Sequence, residues 1–152
     1  MSRAVSPVVG VVTLLGVTVL LSATLLGVAA VDPSVPGPTA SLEVSADAST
    51  NRIEFVHRGG DTLDVSGLTW RVSVDGDPLE HQPPVPFFAA TGFRAGPNGP
   101  FNSASSNQFS AGEQATLRVA STNSPEMTRG STVSVTVLHR NTTILDVSTT
   151  AT

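Results

Sequence analysis

The side chains of this sequence that could support acid-base, nucleophilic or metal chemistry are few and scattered. The histidines are His57, His81 and His139, and none stands at the i, i+4 spacing or beside the cysteines that build zinc sites. Cysteine is absent, which removes disulfides, thiolate ligands, lipid attachment through cysteine and a cysteine nucleophile. His57 and Asp61 can be drawn with one of the many serines as a triad, but no Gly-x-Ser-x-Gly elbow presents a nucleophile. Asp61 with Asp64, and Asp75 with Asp77 around Gly76, offer oxygens to calcium, yet neither pair continues into an EF-hand loop. No Gly-x-Gly-x-x-Gly or other phosphate-cradling loop occurs. The expectation is therefore no catalytic residue, no metal and no cofactor, and histidines that serve at strand ends.

Two short patterns are chemical in another sense, as substrates of other enzymes. Asn141-Thr142-Thr143 is a glycosylation sequon, placed at a predicted hairpin turn. At the other end, Arg3-Ala4 stands directly before Val5, where a run without a single charge begins and continues to Val31. As a helix that run would span about 40 Å, more than the roughly 30 Å of a bilayer core. It has no polar stripe to turn to water, so it must be buried in lipid or among other helices. Pro7 falls in the first turn with Ser6 as a candidate N-cap, a position where proline costs little. Gly10, Gly16, Gly27 and nearby small residues permit close helix approach.

Three readings compete for this segment: a signal peptide cut after Val28-Ala29-Ala30, a permanent single-pass anchor, and a helix kept on the mature protein after a short leader is removed. An ordinary signal has a shorter apolar region, of about 7 to 15 residues. The order Arg3-Ala4, then Val5-Ser6-Pro7-Val8-Val9-Gly10-Val11-Val12, resembles the class III signal of haloarchaeal type IV pilins. The resemblance implies recognition of Arg3 and cleavage by a prepilin peptidase between Ala4 and Val5. It further implies assembly with copies of the chain or other pilins through the N-terminal helix, with a pilus assembly platform and ATPase as indirect partners. Bacterial type IV pilins carry an acid near the start of the mature helix; here none occurs between Arg3 and Asp32, so no docking role for such an acid is carried over. Arg3 on the cytoplasmic side places the C-terminal part outside the cell membrane.

Asp32-Pro33-Ser34-Val35-Pro36-Gly37-Pro38 is proline-rich and reads as a stiff spacer. The expected organisation is a leader over 1–4, a hydrophobic helix over 5–31, a linker over 32–38 and an extracellular β domain over 39–152. In that domain period-two alternation recurs at Leu42, Val44 and Ala46, at Ile53 and Phe55, at Trp70, Val72 and Val74, at Leu117 and Val119, and at Val133, Val135 and Val137, returning through Ile144 or Leu145 and Val147. Turn residues separate these runs: Gly59-Gly60-Asp61, Asp75-Gly76-Asp77 and Arg140-Asn141. The predicted fold class is mainly β: a small antiparallel Ig-like sandwich of about seven strands, preceded by one long N-terminal hydrophobic helix. The segment 81–109 is irregular but holds Phe87, Phe88, Phe93, Phe101 and Phe109, so part of it should fold back on a sheet and complete the core. His57-Arg58-Gly59-Gly60-Asp61 and Gly112-Glu113 also resemble turns of haloarchaeal pilin outer domains.

Composition narrows the partners. Eight basic residues, all arginine, against twelve acids give a net charge of -4. No basic patch shows along the sequence, which argues against nucleic acid. An acidic surface without lysine suits high salt, although GC-rich coding alone also exchanges lysine for arginine. The leading functional expectation is a non-enzymatic subunit of a type IV pilus-like surface filament serving adhesion or surface contact. The alternative is a single-pass, membrane-tethered β-sandwich binding module that never polymerises.

Overall fold

The computed structural model describes residues 5–29 and 37–152, with side chains over 7–22 and 37–152. The chain divides into two units, 1–36 and 37–152.

The described part of the first unit is helix α1, Val5–Ala29. Here the fold expectation is corrected. The helix bounds fall short of Val31, and the part with described side chains, 7–22, covers about 24 Å at about 1.5 Å per residue, less than a bilayer core. Among the described residues no helix is long and apolar enough to cross a membrane. Arg3, Ala4 and the linker prolines Pro33 and Pro36 lie outside the described residues.

The second unit is mainly β, and all its strand pairs are antiparallel. Its strands are β1 (Ala40–Asp47), β2 (Arg52–Gly60), β3 (Leu63–Asp64), β4 (Leu68–Val74), β5 (Asp77–Pro78), β6 (Gln108–Phe109), β7 (Gln114–Arg118), β8 (Thr132–His139) and β9 (Thr142–Thr150). They form three sheets, ordered β1-β2-β7, β3-β6 and β5-β4-β8-β9. Seven strands thus lie in a three-stranded and a four-stranded antiparallel sheet, and β3 and β6 add a small two-stranded one. The two-residue strands β3, β5 and β6 carry too little alternation to show in sequence.

The core lies between the inner faces. Val44, Ile53, Phe55, Ala115 and Leu117 from the first sheet and Trp70, Val72, Val133, Val135 and Val137 from the large one join a single buried cluster. Phe55 meets Trp70 edge to face at 5.5 Å between centroids, and Phe101 closes on both rings at 5.0 and 4.7 Å. Aromatic pairs in this arrangement add about 0.5–1.5 kcal/mol beyond the area they bury. The phenylalanine-rich segment folds back as expected: Phe87, Phe93, Phe101 and Phe109 are buried, while Phe88 is 60% exposed.

Two hairpins turn in two residues with positive φ at both, Asp75 (53°) and Gly76 (92°) between β4 and β5, and Arg140 (49°) and Asn141 (66°) between β8 and β9. That is the geometry that matches the twist of paired strands. The expected turn at Gly59-Gly60 is corrected: both residues pair with β1, Ser41 with Gly59 and Ala40 with Gly60, after a register shift between Ser41 and Leu42. Val119 falls just past β7 and bridges to Phe93 instead.

Candidate functional site

Of the groups that looked chemical in sequence, His57, Asp61, Asp64 and Asp75 are engaged in holding the fold. His57 is fully buried, its ring edge-on to Phe109 at 5.3 Å. Its Nε2 lies 2.9 Å from the main-chain oxygen of Asp61, and since a carbonyl only accepts, Nε2 donates. The Asp61 carboxylate turns elsewhere and accepts from Thr39 N–H at 2.9 Å. The imidazole-carboxylate contact of a triad is therefore not formed between these two residues. Asp64 accepts from Ser66 N–H at 3.0 Å and caps the 3-10 turn Val65–Gly67. Asp75 accepts from Thr132 N–H at 2.7 Å and ties the β4-β5 turn to the start of β8. Among the described residues no group of three or more His, Asp or Glu side chains could hold a metal ion.

Asn141 stands exposed in the left-handed part of the β8-β9 turn. The hairpin sequence places it there because the turn needs two positive φ angles, and asparagine tolerates them better than most residues.

Of the processing residues, Val5 opens helix α1, while Arg3 and Ala4 lie outside the described residues. The described surface of α1 is apolar on every side, and its large side chains are exposed, from 53% at Val17 to 70% at Leu14. The polar side chains in this stretch turn inward along the helix. Thr13 Oγ1 donates to Val9 O at 2.7 Å, Thr18 Oγ1 to Leu14 O at 2.7 Å, and Ser22 Oγ to Thr18 O at 2.8 Å. Each of these described hydroxyls is satisfied by the helix's own carbonyls, so residues 7–22 ask nothing polar of their surroundings.

No protein-family profile matches the chain. One relative is archaeal. An uncharacterized protein of Archaeoglobus fulgidus is 35% identical over 78 residues, which cover 49% of this chain and 53% of the relative. The chain thus spans about half of that protein's length, and the likeness assigns no activity.

One feature went unseen in the sequence. Arg52, Arg94 and Arg118 line a single groove on the β unit, a grouping that does not show along the sequence. Arg52 and Arg118 alternate with buried Ile53 and Leu117, which places them on an outer face, but only the pairing of β2 with β7 sets them opposite each other.

Proposed function

We propose that this protein is a structural subunit of a type IV pilus-like surface filament. The observation that carries the reading is helix α1, whose described surface is apolar all round and whose described hydroxyls bond internally, on a chain whose other unit has a core of its own. Such a helix is stable where other apolar helices or lipid cover it, and a filament core of packed N-terminal helices supplies that cover. The order Arg3-Ala4 before Val5 supplies the means, since a peptidase cut there removes the charged leader and leaves the helix on the mature protein. In this reading the precursor is held at the cell membrane with its β unit outside, and assembly moves the helix into the filament. The β units then coat the filament, serve surface contact, and present Asn141 for glycosylation. The chain acts as a substrate of its processing enzyme and needs no cofactor.

N-terminal mass spectrometry on membrane and sheared extracellular fractions tests the proposal. Val5 as the first residue in sheared material supports it. A start at Val31 would mark an ordinary secreted domain, and an uncut N-terminus would leave the tethered, non-polymerising module. Arg3→Ala should accumulate the unprocessed chain, an outcome that a simple tether does not predict. For the glycan, Asn141→Gly keeps a residue suited to positive φ and removes the sequon, so intact mass should fall by the glycan in addition to the Asn-to-Gly difference.

A further inference from the structure

Three arginines far apart in sequence meet on the outer side of the β1-β2-β7 sheet. Arg52 and Arg118 are direct partners across β2 and β7, and both are exposed. Arg94 is brought beside them by its main chain, whose N–H donates to Arg118 O at 2.9 Å. Further on, Asn98 N–H donates to Thr116 O at 3.0 Å, and Thr116 N–H returns a bond to Asn98 O at 3.3 Å. The segment from Arg94 to Asn98 therefore runs as an arch along β7. Between arch and sheet lies a groove of about 570 Å³, a size within the range of small-ligand sites.

The charge in this groove is largely uncompensated. Arg52 Nη2 holds Glu54 Oε2 at 2.7 Å, whereas Arg94 and Arg118 form no ion pair with any described residue. No acidic side chain lines the groove. Like charges directly opposite across a strand pair destabilise a sheet, and here the pair stands in a chain whose net charge is -4. Guanidinium groups present planar forks that grip carboxylate and sulfate oxygens through two bonds at once. The lining has no aromatic ring, so it lacks the stacking platform of a single-strand nucleic-acid site.

We infer that the groove bounded by Arg52, Arg94 and Arg118 binds the oxyanion groups of an acidic saccharide. Several anions on one short chain can engage the separate guanidinium groups together, whereas a lone anion reaches fewer of them. The site does not depend on filament assembly, because every residue in it belongs to the β unit.

The test is calorimetric titration of the full chain in a neutral, nonionic detergent with trigalacturonate, maltotriose, inorganic sulfate and tetraglutamate. The expected result is saturable binding of trigalacturonate that weakens as salt rises, with maltotriose inert. Arg94→Gln and Arg118→Gln should each weaken it about tenfold or more, a loss of about 1.4 kcal/mol. Arg58→Gln, outside the groove lining, should leave it unchanged. Sulfate binding at least tenfold weaker than trigalacturonate assigns the site to the saccharide; equal affinity for the two overturns that assignment in favour of a free-anion site. Tighter binding of tetraglutamate, equal loss in Arg58→Gln, or no uptake of trigalacturonate overturns the proposal. Circular dichroism of each variant separates lost binding from lost fold.

Discussion

Asp47 closes the β1-β2 connection with its carboxylate, accepting from Ser49 Oγ at 2.6 Å and Thr50 Oγ1 at 2.8 Å, and from Ser49 N–H at 2.9 Å. The Ser49 hydroxyl, then the Thr50 hydroxyl, hold this carboxyl below the ordinary aspartate range. A depressed folded value means the contribution is complete above the unfolded pKa of about 3.9 and is lost as pH falls from there through the folded value. Amide exchange at Ser49, corrected for its intrinsic rate, should be steady above about pH 5 and quicken below about pH 4, and Asp47→Asn should remove the step. His57 acts at the same scale in the interior. His57→Ala would lose both the bond to Asp61 O and the packing on Phe109, and chemical denaturation should show about 2–4 kcal/mol of lost stability. Phe101→Ala should cost about 3–5 kcal/mol, because its ring packs on Phe55, Trp70 and Phe109 together.

Among the elements, the start of β1 and the end of β2 depend on one close approach. Gly60 has φ of 97°, and a Cβ there would sit 2.3 Å from Thr39 O. Gly76 has a similar φ of 92° but open space around it. Gly60→Ala should therefore destabilise more than Gly76→Ala, since the second meets only the backbone cost of about 1–2 kcal/mol while the first adds a collision with main chain. Denaturant midpoints of the two variants check the order. The β2-β7 pair gives a prediction of opposite sign. Arg118→Gln removes a like-charge neighbour of Arg52 and should raise stability by about 0.2–1 kcal/mol at low salt, while it weakens oxyanion binding. A gain in stability with a loss in binding is the mark of charge kept for a ligand.

At the level of the whole molecule, the chain joins a helix that is apolar on every described side to a β unit with its own core. Trp70 is the sole tryptophan and is 2% exposed within the β unit, so its fluorescence follows unfolding of that unit. Val17→Glu places a charge on α1, where the filament reading buries the side chain among apolar neighbours. It should leave the Trp70 unfolding midpoint unchanged and reduce recovery of the protein in sheared filaments. If filament yield is unaffected, α1 is not the packing element.

What the sequence alone determined is what depends on near neighbours in the chain. Alternation at Trp70, Val72 and Val74 and at Val133, Val135 and Val137 specified strands β4 and β8, because side-chain direction in a strand has a period of two. Asp75-Gly76 and Arg140-Asn141 specified tight hairpin turns, because positive φ is a local demand. The uncharged run after Arg3 likewise read as helix without any partner, although among the described residues it is not long enough to cross a membrane. Tertiary structure decided the rest, where distant residues meet. It drew Gly59 and Gly60 into β2 through pairing with β1, and it formed β3 and β6 from two residues each. It buried four phenylalanines of an irregular segment and left Phe88 outside. It also gathered Arg52, Arg94 and Arg118 into one groove, since strand register and a long return loop, unlike periodicity, leave no local trace in the chain.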